Sequence, residues 1–158
     1  MAGRFLLDTS IFNKIVDLGV PPSKFEGVSL FVTHLQADEL SATSSEIRRA
    51  TLLRALVQVA PANLPTKSAA WDVSSWDEAG WGDDDGVYET LLVAIQAGDK
   101  TNRKMKALEN QERDALAAET AIKNQLILVT SDVVLADATL ASGGQAISFE
   151  EFMTKISP

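Results

Sequence analysis

The sequence of 158 residues contains no cysteine. This absence excludes disulfide frameworks, thiolate zinc sites and cysteine nucleophiles, and it is typical of the reducing cytoplasm, where we expect this protein to be located. A single histidine excludes metal sites built from several histidines. No apolar run approaches the ~18 residues of a transmembrane helix, and the segment MAGRFLLD reaches an acid too early for a signal peptide. We therefore expect no membrane partner.

Basic residues are absent between Lys67 and Lys100, a segment that carries eight acidic residues. The other 14 acids balance the 14 lysines and arginines, so this segment holds the whole net charge of −8. A short basic stripe follows directly and contains Lys100, Arg103, Lys104 and Lys106. A neutral body with one acidic segment and one basic stripe can still bind a polyanion such as RNA.

Apolar residues make up 46% of the chain and charged residues 23%, which is typical of a globular protein. The length predicts one domain, residues 1–158. Four short apolar segments read as strands. They are Phe5–Leu7, Val28–Thr33, Leu126–Val129 and Ala146–Ser148. Helical patterns lie between them, so the sequence predicts an α/β fold with a mostly parallel sheet.

The predicted helices follow from apolar spacing and capping residues. Their main segments are Ile11–Leu18, Leu35–Leu40, Tyr88–Ala97, Glu112–Asn124, a weak helix after Asp132 and a last helix from Phe149. Thr43 and Glu46 form a capping-box pattern that predicts a further helix through Val57. Two prolines, Pro61 and Pro65, are expected to close it.

The acidic segment at 66–99 is predicted to be an insertion in this domain. Trp71, Trp76 and Trp81 recur in it every five residues, a spacing that matches neither one helix face nor one strand face. Its first part, to about residue 87, is interpreted as a long loop or flap. The tryptophans could stack on unpaired bases, or they could pin the loop or fill a partner interface.

Four acids are expected at one edge of the sheet, because the carboxyl ends of parallel strands meet there. Asp8 and Asp132 follow two strands, Glu39 lies in the helix after another strand, and Asp114 begins the alanine-rich helix. Each could be an ordinary helix cap, but their joint placement favours a site. Oxygen ligands suit Mg²⁺ or Mn²⁺, and such a group can activate water in phosphodiester cleavage.

Four segments resemble the motifs of PIN-domain ribonucleases of the VapC type: FLLDTSIF, VTHLQADEL, RDALAAETAI and LILVTSD. The resemblance runs from about residue 4 to 152. It implies a three-layer α/β/α fold with a sheet of four to five strands. It also implies RNA cleavage that depends on Mg²⁺ or Mn²⁺, and a toxin that an antitoxin protein blocks. Where many relatives carry further acids, this chain has Ser131 and Val134.

By this resemblance Asp8, Asp114 and Asp132 hold the principal metal ion, and Glu39 helps to hold a second ion or orients water. A homodimer is a further expectation. The candidate substrate-binding residues are hydroxyls beside the acids, the basic stripe and one tryptophan. They are Thr9, Ser10, Thr130, Lys100, Arg103, Lys104, Lys106 and Trp76.

Three nearby residues receive weaker interpretations. Asp38 points about 100° away from Glu39, and Glu119 lies about 140° around the helix from Asp114, so both are expected outside the site. His34 could move a proton or simply be a structural residue.

Two alternatives stay open. One is a PIN-like interaction module that binds a protein partner without cleaving RNA. The other is a receiver-type phosphoacceptor, which would require a paired acid at the first strand and a lysine after the last strand. Here Asp8 is single and Lys155 lies late in the last helix, which disfavours this alternative.

Overall fold

The computed structural model describes residues 3–60, 62–66, 85–101 and 108–158. The sheet has five strands, all parallel, in the order β3-β2-β1-β4-β5. The strands are β1 Arg4–Leu7, β2 Ser29–Val32, β3 Ala62–Asn63, β4 Ile127–Val129 and β5 Gln145–Ile147. The prediction of an α/β fold with a mostly parallel sheet of four to five strands is therefore confirmed.

Helices cover both faces of the sheet. Within the described ranges they are α1 Thr9–Leu18, α2 His34–Ser41, α3 Glu46–Val59, α4 Val87–Thr101, α5 Leu108–Lys123, α6 Val133–Ala141 and α7 Phe149–Ile156, with a 3₁₀ turn at Pro22–Phe25. In those ranges, no helix combines the length and the apolar character needed to cross a membrane.

Alternation along β1 divides the interior into two cores, because successive strand residues point to opposite faces. Phe5 and Leu7 belong to one core, together with side chains of α1, α3 and α7. Leu6 belongs to the other core, where the side chains come mainly from α4, α5 and α6. The sheet is thus buried on both faces, which is why its strands read as continuous apolar runs rather than as alternating patterns.

One local prediction is wrong. Thr43 and Glu46 do not form a capping box, because the helix begins two residues later, with Ser45 as the N-cap. The Ser45 side chain accepts a hydrogen bond from the Arg48 N–H at 3.3 Å. A capping box does occur at α2, which begins after Thr33.

In that box the Thr33 N–H donates to Gln36 Oε1 at 2.7 Å, and the Thr33 hydroxyl accepts from the Leu35 N–H at 3.2 Å. The chain therefore leaves β2 and enters α2 in a fixed conformation.

Strand β3 was not predicted, because two residues between Pro61 and Pro65 leave no apolar pattern to recognise. It pairs with the end of β2, and Leu64 extends the pairing with an N–H bond to the Val32 carbonyl at 2.7 Å.

Several predicted features lie outside the described residues. They are the loop or flap with Trp71, Trp76 and Trp81, and the basic residues Arg103, Lys104 and Lys106. The described end of the segment at 66–99 belongs to α4, whose Leu91 and Ile95 are fully buried in the second core.

Candidate functional site

The sheet order creates a crevice beside β1. From β1 the chain passes to β2 on one side and later returns to β4 on the other side. In open α/β sheets, ligands bind at such a reversal, beyond the carboxyl ends of the two strands. Asp8 directly follows β1, and Thr130, Ser131 and Asp132 directly follow β4. The topology alone thus brings these residues to the place where a ligand is expected.

Two hydroxyl groups hold the carboxylate of Asp8. Oδ2 of Asp8 accepts hydrogen bonds from Thr130 Oγ1 at 2.8 Å and from Ser10 Oγ at 3.0 Å. The same hydroxyl oxygens accept the backbone N–H groups of Asp132 at 3.0 Å and Ser131 at 3.1 Å. Each hydroxyl therefore accepts on one side and donates to the carboxylate on the other, which fixes the direction of both bonds. We call these five residues the hydroxyl network.

Asp8 and Asp132 differ in their relation to the helices that they precede. Both occupy an N-cap position, which is the ordinary structural role of an aspartate after a strand. Asp132 performs that role, because Oδ1 accepts from the N–H groups of Val134 at 3.0 Å and Leu135 at 3.2 Å. The Asp8 side chain makes no capping hydrogen bond to α1. Capping therefore explains Asp132 but not the orientation of Asp8.

Burial raises the pKa of the Asp8 carboxyl above its ordinary value. The hydrogen bonds from Thr130 and Ser10 and from the Thr9 backbone oppose that shift, and the negative charge of Asp132 adds to it. The two carboxylates thus sense each other across the network. A cation between them would stabilise both ionised forms, because it replaces repulsion with attraction.

Asp114 and Glu39 reach the same edge of the sheet from two helices. Helix α2 begins at the carboxyl end of β2, and α5 runs back towards the start of β4, so its first half lies at that edge. The two helices meet where Leu35 packs with Leu116 and Ala117. Asp114 precedes this contact by about one turn and Glu39 follows it by one turn, and both are partly buried.

The four acids do not yet form one compact group. Among the described residues, which include all four, no three histidine, aspartate or glutamate side chains lie close enough to hold a metal ion. The structure brings Asp8 and Asp132 together in one network and places Asp114 and Glu39 on neighbouring helices. Binding of an ion would therefore require a local movement of Asp114 or Glu39 towards the pair.

The donor atoms available at this edge fit a hard cation. Carboxylate and hydroxyl oxygens are ligands that Mg²⁺ and Mn²⁺ prefer. The hydroxyl Oγ1 of Thr9, next to Asp8, is buried and has no hydrogen-bond partner in the described part of the chain. Buried hydroxyls normally find a partner, so this oxygen is available to a ligand or to water.

The remaining candidates differ in their burial. Asp38 is exposed, in agreement with its predicted orientation, and His34 is buried at the start of α2. Lys100 is exposed near the end of α4. Glu119 is completely buried on α5.

Tyr88 belongs to the contact between α2 and α5. Burial, together with Glu112, Glu119 and Glu89, raises the pKa of Tyr88 to about 12. The role of Ser131 could not be predicted from the sequence, because this residue acts through its backbone N–H, which no side-chain pattern reveals.

Comparisons with known proteins give no match by sequence and several by structure. No protein-family model matches the chain, and neither does any curated protein sequence. The crystal structure of PAE2754 from Pyrobaculum aerophilum is similar with a TM-score of 0.54 and 18% identity, over 99% of this chain and 96% of that one. This likeness shows that the two chains share a fold.

Two further solved structures are similar at lower scores. FitAcB from Neisseria gonorrhoeae has a TM-score of 0.40 and 12% identity, over 92% of this chain and 98% of that one. VapBC-5 from Mycobacterium tuberculosis, a member of the VapBC family of toxin-antitoxin systems, has a TM-score of 0.41 and 20% identity, over 93% and 96%.

Proposed function

We propose that this protein is an endoribonuclease that depends on Mg²⁺ or Mn²⁺ and cleaves RNA phosphodiester bonds with water. In this proposal Asp8, Asp114 and Asp132 hold the principal ion, and Glu39 holds a second ion or orients the water. When bound, the ion supplies positive charge that activates water and stabilises the leaving oxygen. No side chain of the protein needs to act as a nucleophile.

The observation that carries the proposal is the hydroxyl network. Thr130 and Ser10 orient the Asp8 carboxylate, although α1 does not use that carboxylate as a cap. This partly buried acid, held in this way beside a second acid, has a raised pKa, and carboxylates with perturbed pKa values cluster at functional sites. Its position at the chain reversal beside β1 is where a ligand is expected.

The residues of this chain have separate tasks in the proposed reaction. The Thr130 and Ser10 hydroxyls keep Asp8 oriented, so Asp8 itself needs no reorganisation when a cation arrives. The backbone N–H groups of α6 hold Asp132 in place. The buried Thr9 hydroxyl can donate to a phosphate oxygen or bind the water that is consumed. Asp114 and Glu39 approach from α5 and α2 and complete the set.

The basic stripe is proposed to bind the RNA backbone. Lys100 is exposed near the end of α4, and Arg103, Lys104 and Lys106 follow it in the sequence. Phosphate contacts hold RNA without reading its sequence. A variant with all four changed to glutamine should therefore bind different RNAs more weakly by a similar factor. Each lost contact should lower the salt dependence of binding by about 0.7 in a plot of log affinity against log salt.

The toxin role and an antitoxin partner are proposed on the motif resemblance, and a cytoplasmic location is proposed on the absence of cysteine. A homodimer is a further proposal. A second function also has an observation in its favour. Because no three acids in the described residues form a compact group, the chain could be an interaction module that keeps the fold but cleaves RNA weakly or not at all. The two functions differ in one measurable property, which is RNA cleavage stimulated by a divalent ion.

The test is cleavage of end-labelled single-stranded RNA by the purified protein with Mn²⁺, with Mg²⁺ and with a chelator. We expect cleavage with either ion, none with the chelator, and a loss of at least about 100-fold in Asp8→Asn, the scale of removing one oriented charged group from an active site. Asp137→Asn is the matched control, because Asp137 is an exposed acid on α6. Equal cleavage by both variants would reject Asp8 as a site residue, and no cleavage by the unmodified protein would favour the interaction module.

A further inference from the structure

A second cavity adjoins the hydroxyl network on the side of β5. Its volume is about 280 Å³, and it lies between α6, β5 and the beginning of α7. Thr130 and Asp132 line it, so it is continuous with the candidate site. We call it the β5 pocket. Ser131 of the network also lines it, and none of the roles described above uses the remaining lining residues.

The β5 pocket has an apolar wall. Val133, Ala136 and Leu140 lie on one face of α6, at spacings of three and four residues, and Ile147 of β5 adds to them. Val133 is 69% exposed and Leu140 is 53% exposed, although both are large apolar residues. A flat apolar group lying on this wall would remove that surface from water, which is favourable.

The rim of the β5 pocket is acidic. Asp132, Glu150 and Glu151 line it, against one basic residue, Lys14. Lys14 is already paired with Glu150 at 2.9 Å and lies 5.6 Å from the ring centre of Phe149. A phosphate group would therefore meet a net negative surface with its only cation engaged. A neutral group that offers N–H donors fits this rim much better.

We propose that the β5 pocket binds the base of a nucleotide next to the cleaved phosphate and prefers bases with an exocyclic amino group to uracil. This proposal rests on the proposed function. The apolar wall contacts the face of the base, and a rim carboxylate accepts a hydrogen bond from the amino group. Carboxylates pair with the cytosine amino group in this way, whereas uracil presents a carbonyl oxygen at the same position. The pocket would then set which RNA sequences are cleaved.

The experiment compares cytidine with uridine, because they differ mainly at that position. Each nucleoside is titrated into protein with labelled methyl groups, and the signals of Val133, Leu140 and Ile147 are followed by NMR. We expect cytidine to shift these signals with an affinity roughly tenfold higher than uridine, the scale of one hydrogen bond to a charged acceptor. Equal affinities would overturn the proposed base preference.

Variants locate the binding. Ala136→Leu should fill the pocket and abolish the cytidine shifts. Ala141→Leu makes the same change at an exposed position of the same helix that does not line the pocket, and it should leave them unchanged. Replacing Glu150 and Glu151 together by glutamine should bring the cytidine-to-uridine ratio close to one. Cytidine shifts that survive Ala136→Leu would overturn the assignment to this pocket.

Two other results separate the pocket from the enzyme activity. If N-acetylarginine amide shifts the same signals and neither nucleoside does, the pocket binds a basic side chain of a protein, and the proposal is wrong.

RNA cleavage measured in parallel tests the proposed function independently. Cytidine binding without RNA cleavage would keep the pocket and reject the nuclease. RNA cleavage without nucleoside binding would keep the nuclease and reject the proposed base pocket.

Discussion

The two faces of the sheet are built from different side chains. One core contains five buried phenylalanines, and the other contains a set of buried alanines. The phenylalanines are Phe5, Phe12, Phe25, Phe149 and Phe152. The alanines are Ala115, Ala118, Ala121 and Ala138. Large rings bury much apolar area, whereas small side chains let helices approach closely.

Two of the four candidate acids belong to helices of the alanine face. Asp114 lies on α5 and Asp132 caps α6, and both helices pack in the alanine core. The approach is close enough that a Cβ on Gly98 of α4 would lie 2.6 Å from a methyl group of Val134, next to the residues that Asp132 caps. We infer that the phenylalanine face mainly stabilises the fold, while the alanine face mainly positions Asp114 and Asp132.

The largest expected effect comes from the phenylalanine face. Phe152 is fully buried, and its ring centre is 5.0 Å from that of Phe5 and 6.1 Å from that of Phe25. Phe152→Ala should lower the free energy of unfolding by about 3–5 kcal/mol, because it leaves a cavity. Urea unfolding measures this. If the comparison of the two faces is right, the folded variant should still cleave RNA at the normal rate. A large loss of cleavage per folded molecule would show that the phenylalanine face also positions the candidate site.

Overpacking the alanine face should lower stability less than Phe152→Ala does but should reduce RNA cleavage more. Ala118 is fully buried on α5, one turn after Asp114. Ala118→Leu should lower the free energy of unfolding by about 1–3 kcal/mol and should reduce RNA cleavage strongly, because α5 must move away from the sheet. Ala50→Leu on the exposed face of α3 is the control for added bulk. Normal cleavage by a destabilised Ala118→Leu protein would show that the alanine face does not position the acids.

Removing the Thr130 hydroxyl tests the hydroxyl network at the edge of the sheet. Thr130→Val keeps the shape of the buried side chain but removes the donor to Asp8 and the acceptor of the Asp132 N–H. We expect a loss of about 1–2 kcal/mol in the free energy of unfolding. The pKa of Asp8 should rise further, because the hydrogen bond that lowers it is lost. Thr154→Val, at an exposed position, should change neither quantity.

The smallest expected effect is a pH-dependent difference in stability between Asp8→Asn and the unmodified protein. It is measured with a chelator present. Burial raises the pKa of Asp8 in the folded chain above the unfolded value, so the ionised carboxyl destabilises the fold at neutral pH. Asp8→Asn should therefore be slightly more stable than the unmodified protein at pH 7. The difference should shrink as the pH falls through the raised pKa. It should vanish below the ordinary aspartate value of about 3.9. If Asp8→Asn were less stable than the unmodified protein at pH 7, the raised pKa of Asp8 would be contradicted.

The sequence predicted those features that depend on local pattern. Asp8 and Asp132 could be placed at one edge of the sheet, because each follows an apolar strand. The hydroxyl network could not be derived from spacing, because it joins Ser10 and Thr130, which are far apart in the chain. Strand β3 was missed because pairing with β2, rather than its own residues, makes it a strand. The start of α3 was misplaced because Thr43 and Ser45 are both good caps, and their spacing does not distinguish them.

Asp8 and Asp132 are proposed to form half of a divalent-cation site. Thermal unfolding with Mn²⁺ and with a chelator tests it, because an ion that binds only the folded state adds about 2.7 kcal/mol at a hundredfold excess over its dissociation constant. We predict a higher midpoint with Mn²⁺ for the unmodified protein and for Asp137→Asn, and no increase for Asp114→Asn. Equal midpoints with and without saturating Mn²⁺ in the unmodified protein would contradict the claim.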